Sequence, residues 1–209
     1  MSDFLIIIVL TMLYLAVTGM LSTYVKILAT QGVLLFLISI SEAEKINAGI
    51  FLFIALETLF LKAMIIPWFL SKTIKKNEIA REIEPYIPHF YSLIIMSVIY
   101  SFGFFLTIIA ISYKNVSPLF FGISMATILA GLFIIISRKK LITHLMGYMI
   151  IENGTFLLSL AVAKEMPLIV SLGVSLDIFI GLLLGGIFIN RIRSTFDEHN
   201  IDALSNLKD

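Results

Sequence analysis

Four ionisable residues, Glu57, Lys62, Glu152 and Asp177, sit inside long apolar runs. If those runs cross a membrane, each charge costs about 2.5–3.5 kcal/mol or more at the bilayer centre. Such residues therefore face protein or water, and they mark either ion paths or interhelical ion pairs. Three separate runs each carrying such charge favours a proton or ion path. Glu57 and Lys62 are five residues apart, about 140° around an α-helix, so they do not form an i, i+4 pair. Each is expected to look to a different neighbour. For Lys62, a relay role and an ion pair with an acid on another span or chain both stay open.

The most informative run is 141–163. His144, Tyr148 and Glu152 are spaced i, i+4, i+8, and Thr155 and Ser159 lie near the same stripe. On a helix this reads as a polar track from a basic loop to a central carboxylate. Interhelical hydrogen bonding is the plainer use of the same side chains. Asp177 is flanked by Gly173 and Gly181, and Gly181 and Gly185 form a G-x-x-x-G pair. Small residues let another helix approach closely and leave room for water beside a carboxylate. The chain has no cysteine and three isolated histidines. That excludes disulfides, iron–sulfur ligation and thiolate metal sites, and offers no set for haem or zinc. No cofactor and no catalysis on this chain are expected.

The elements that carry these residues follow from composition. Of the 209 residues, 59% are hydrophobic and 14% charged, and the mean hydropathy is +1.04. Soluble domains have about 25% charged residues, so this chain lacks the polar surface to cover a water-facing core. Apolar runs near 20 residues long recur throughout, the length that crosses a hydrocarbon layer about 30 Å thick. Seven spans are expected: 4–21, 27–40, 48–70, 90–111, 119–136, 141–163 and 168–190. The second is short and must tilt or thin the bilayer. Pro67 is expected to end or kink the third. The longest connection, 71–89, has room for a short surface helix and divides the chain into two blocks, 1–115 with four spans and 116–209 with three. The segment 1–21 lacks a basic n-region and its apolar stretch is long, so it reads as a retained span rather than a signal peptide.

Charge placement supports the count. Seven spans put Lys45, Lys114 and Lys164 on one side. They put Lys26, Lys72, Lys75, Lys76, Arg81, Arg138, Lys139, Lys140, Arg191, Arg193 and Lys208 on the other. By the positive-inside rule the N-terminus lies outside and the C-terminus in the cytoplasm. The fold class is therefore all-α, a polytopic membrane protein.

From Leu119 onward the chain resembles the K subunit of bacterial complex I. The resemblance rests on Ser137-Arg138-Lys139-Lys140-Leu141, on a helix with Gly147 and a glutamate, and on Asp177 followed by Ile180-Gly181-Leu182-Leu183. The closing segment Asn200-Ile201-Asp202-Ala203-Leu204 fits as well. With four more spans ahead, the whole chain is similar to the E component of hydrogenase-4, of the formate-hydrogenlyase type. There Tyr148-Met149-Ile150-Ile151-Glu152-Asn153-Gly154 matches a glutamate–asparagine–glycine segment, and Lys62 with Pro67 matches a lysine-x4-proline helix.

The resemblance implies a non-redox subunit of a prokaryotic cell membrane that couples electron transfer to proton or sodium movement. Its partners would be antiporter-like and complex I-like membrane subunits and a peripheral nickel–iron hydrogenase or related module. Glu152, Asp177 and Lys62 would carry translocation, with His144, Tyr148 and Glu57 as a possible path. Asp177 stands where the family has glutamate. Glu152 lies three residues beyond the other family glutamate, so its role transfers by helix face. Glu57 has no family counterpart. The alternatives are a subunit of a multisubunit sodium/proton antiporter and a purely structural membrane subunit.

Overall fold

An apolar run in a water-poor environment must satisfy its backbone within itself, which favours helices. The computed structural model describes residues 2–42, 56–76, 85–113 and 116–162, and their regular structure is helical. The expected seventh span, with Asp177, and the C-terminal tail lie outside the described residues. The described helices are α1 (Ser2–Val17), α2 (Leu21–Glu42), α3 (a π-helical part Leu56–Ile65 followed by an α-helical part Ile66–Lys76), α4 (His89–Ala110), α5 (Pro118–Ser137) and α6 (Leu141–Val162). Among the described residues, four stretches are long and apolar enough to cross a membrane: Leu21–Ser41, His89–Ala110, Pro118–Ser137 and Leu141–Val162. Helix α1 is equally apolar but has 16 residues.

Two expectations change. The second helix is 22 residues long rather than a short span. It begins at Leu21, so Lys26 lies within the helix rather than in a loop. Ser22, Thr23 and Lys26 dilute the apolar run without breaking it, because only Thr18, Gly19 and Met20 separate α1 from α2. Of the two outcomes expected of Pro67, an end to the third helix or a kink in it, the first is not realised. A proline inside an α-helix lacks an N–H and clashes with the carbonyl four residues back. Here the wider π winding precedes it, and Pro67 is the second residue of the α-helical part, which runs on to Lys76.

Packing sets two apolar clusters at different heights. One gathers Met12, Tyr24, Leu28, Leu70, Met96 and Ile150 among others. The other gathers Leu5, Ile8, Leu34, Leu35, Phe156 and Leu157. Helices α5 and α6 approach most closely at glycines. A Cβ on Gly131 would stand 2.7 Å from the Gly147 carbonyl oxygen and 2.6 Å from Ile151 Cγ1. That fit fixes the rotation of α6. Glu152 is five residues after Gly147, about 140° around the helix, so it points away from α5 toward α2 and α3. Outward, α4 leaves Val98, Phe102, Phe104, Phe105 and Ile108 exposed. A continuous apolar face of that kind belongs against lipid or another membrane chain.

At one end of the bundle the α5–α6 turn meets the other helices. Tyr86 N–H donates to the Ser137 carbonyl (3.0 Å), and Arg138 Nη2 donates to the Ala16 carbonyl at the end of α1 (3.2 Å). This end also holds the start of α2 and the close of α3. Replacing Gly131 with valine is expected to destabilise the bundle by about 1–3 kcal/mol through overpacking against Gly147 and Ile151. Thermal unfolding in detergent, followed by far-ultraviolet circular dichroism, checks this.

Candidate functional site

Between the two apolar clusters lies a polar layer, built by five residues from four helices. Thr11 comes from α1, Gln31 from α2, Lys62 from α3, and Glu152 and Asn153 from α6. On α2, Gln31 sits one turn from Leu28 below and Leu34 above, which belong to different clusters. On α6, Glu152 and Asn153 are bracketed in the same way by Ile150 and Phe156.

The centre of the layer is an ion pair. Lys62 Nζ contacts Glu152 Oε1, and the two side chains are 6% and 5% exposed. Four residues beyond Glu152, Phe156 presents its ring to the same ammonium, 4.6 Å from Nζ to the centroid. A cation over an aromatic face gains about 0.5–2 kcal/mol, more as water is excluded. One side of Lys62 therefore meets a carboxylate and another meets a ring.

An amide chain braces the pair. Asn153 Nδ2 donates to Gln31 Oε1 (3.0 Å), and Gln31 Nε2 donates to Thr11 Oγ1 (3.1 Å). The Thr11 hydroxyl in turn donates to the Ile8 carbonyl (2.7 Å). Next to Gln31, Gly32 lies directly on the third helix. A Cβ there would stand 2.8 Å from Ala63 N and 3.0 Å from the Lys62 carbonyl carbon. Helix α2 thus touches the backbone at Lys62 and hydrogen-bonds the neighbour of Glu152, setting both members of the pair from one turn of helix. The stretch bearing Lys62 is π-wound, a rare geometry that is frequent at functional sites.

The expected site residues fare differently. Lys62 and Glu152 come together. They form an ion pair whose acid lies on another helix of the same chain. Glu57 belongs to the π-helical part by its backbone, and its side chain lies outside what is described. Asp177 lies outside the described residues. The stripe of His144, Tyr148 and Glu152 does not form one inward face. Each four-residue step drifts about 40°, so Tyr148 turns outward, 42% exposed, while Glu152 turns inward. His144 Nε2 donates to the Arg138 carbonyl (2.8 Å) at the head of α6. Thr155 and Ser159 donate to carbonyls of their own helix.

Sequence reasoning did not single out Thr11, Gln31, Asn153 or Arg138 for these positions. Gln31 had a signal, as the most polar residue between Ile27 and Ile40. Arg138, placed in a loop by sequence, is fully buried. Besides Ala16 it reaches His89 Nδ1 (3.4 Å). A guanidinium only donates, so Nδ1 of His89 accepts. A second buried polar contact, between Tyr100 and Thr127 hydroxyls (3.2 Å), joins α4 to α5 away from the layer.

Removing one partner of a buried pair strands the other's charge. Lys62→Met and Glu152→Leu alone are each expected to lower stability by about 3–5 kcal/mol, with the double variant recovering most of it. Denaturant titrations of the three proteins in detergent check this. Gln31→Ala and Asn153→Ala are expected to show a coupling of about 0.6–1.7 kcal/mol in a double-mutant cycle.

Against known proteins, the chain is similar to Rv0085, an uncharacterized protein of Mycobacterium tuberculosis, with 28% identity over 195 residues that cover 88% of this chain and 85% of that one. No protein-family model matches the chain, and no solved structure matches it.

Proposed function

We propose that this chain is a non-redox, ion-translocating membrane subunit of a group 4 membrane-bound nickel–iron hydrogenase of the hydrogenase-4 or formate-hydrogenlyase type, or of a related complex. In this reading it crosses a prokaryotic cell membrane seven times, with its N-terminus outside and its C-terminus in the cytoplasm. Antiporter-like and complex I-like subunits flank it, and a peripheral redox module supplies the electron transfer.

The observation that carries the reading is the Lys62–Glu152 pair, closed off from water in a polar layer between apolar clusters. Charges in such a medium interact several-fold more strongly than in water. A proton that reaches or leaves either member changes the field at the other, and at any charged group a partner chain brings nearby. Glu152 is the central proton carrier, Lys62 extends the path toward a neighbouring subunit, and Asp177 continues it on the last span. The sequence resemblance at Tyr148–Gly154 and at Lys62 with Pro67 supports the assignment to this class of complex.

A purely structural subunit is the second reading. The favouring observation is that Lys62 and Glu152 already neutralise one another. Glu152→Gln separates the two. In native membranes, the assembled complex is expected to keep electron transfer while proton uptake into sealed vesicles falls by an order of magnitude or more. Unchanged uptake would remove Glu152 from the path, and failure to assemble would favour the structural reading.

A further inference from the structure

The basic end of the bundle carries more than a sorting signal. Among the described residues, every Lys and Arg except Lys62 lies at this end: Lys26 near the start of α2, Lys72, Lys75 and Lys76 closing α3, and Arg138, Lys139 and Lys140 in the α5–α6 turn. Arg138 turns inward and the rest reach the surface region. The connection 77–84 adds Arg81 and three glutamates by sequence, which leaves this end positive.

Exposed aromatic rings share the same end. Trp68 and Tyr86 are 62% and 67% exposed, and Phe90 and Tyr91 are open beside them, packed edge to face. Two of these rings carry a lysine. Lys72 Nζ stands 5.1 Å from the Trp68 centroid, one turn along α3. Lys139 Nζ stands 5.2 Å from the Tyr86 centroid, across the turn that Tyr86 pins by bonding Ser137. An exposed Trp or Tyr ring suits the boundary between acyl chains and headgroups. A lysine held against that ring places its ammonium at headgroup height.

We propose that this end is a binding surface for anionic phospholipid headgroups, with Trp68–Lys72 and Tyr86–Lys139 as its two anchors. The charge excess selects anionic over zwitterionic lipid, and the rings fix the depth. Helix α3 supplies the platform, since Ile66 and Leu70 bury inward while Trp68, Lys72 and Lys75 face out. This surface is independent of the ion path.

Trp68 is the only tryptophan in the chain, so its fluorescence reports on one anchor. The full chain is placed in phosphatidylcholine nanodiscs that contain a fixed fraction of either brominated phosphatidylglycerol or brominated phosphatidylcholine. Brominated phosphatidylglycerol is expected to quench Trp68 with about fivefold selectivity or more, the effect of roughly one lysine near an anionic surface. The variant with Lys72→Gln and Lys139→Gln should lose that selectivity, and Lys72→Arg with Lys139→Arg should keep it. Equal quenching by the two lipids in the unaltered chain overturns the proposal. So does selectivity that survives both glutamine substitutions. If the double variant does not fold, Lys139→Gln alone, which leaves α3 intact, should reduce the selectivity, and no reduction overturns the proposal.

Discussion

An ammonium and a carboxylate that meet away from water hold each other because parting them would leave each charge buried without a partner. Lys62 and Glu152 belong to helices far apart in the chain, so their contact constrains how α3 and α6 face one another. Everything around them serves that constraint. Gly131 and Gly147 set the rotation of α6, Gly32 lets α2 rest on the backbone at Lys62, and Gln31 ties α2 to Asn153. The polar layer is thin, and apolar clusters seal it on both sides. Its electrostatics are therefore little screened, and a shift of one proton is felt across it.

The same economy explains the unusual winding of α3. A proline five residues beyond a buried lysine would strain a uniform α-helix. The π-helical part ends at Ile65, just before Pro67, and Lys62 lies in its last turns. The change of winding accommodates the proline ring and sets the azimuth of Lys62 in one stretch of chain.

Much of the helical layout was legible in the sequence, because each element is a long apolar run bounded by polar clusters. The start of α2 was not. Lys26 reads as a loop residue when charge is counted, yet an exposed lysine near a helix end keeps its head at the polar boundary while its stem stays helical. Glu152 and Lys62 were legible as costly residues in an apolar setting. Their pairing was not, since it depends on the rotation of α6, which glycine packing sets. The stripe of His144, Tyr148 and Glu152 misled for a related reason, as each four-residue step drifts about 40°, enough here to part Tyr148 from Glu152. Arg138 was hidden because its partners are a backbone carbonyl and a histidine from other helices, and neither leaves a mark in local sequence.

Arg138 has a bearing on how the chain comes together as it is synthesised. Its guanidinium donates to Ala16, 122 residues earlier, and Asn153 donates to Gln31 across the same separation. The first two helices thus hold a terminal carbonyl and a Gln31 side-chain oxygen whose donors come much later in the chain, while the Gln31 amide nitrogen already meets Thr11. Both contacts wait on the hairpin of α5 and α6, which carries the two donors. One hairpin thus closes both long-range contacts, and the same hairpin carries Glu152 to Lys62.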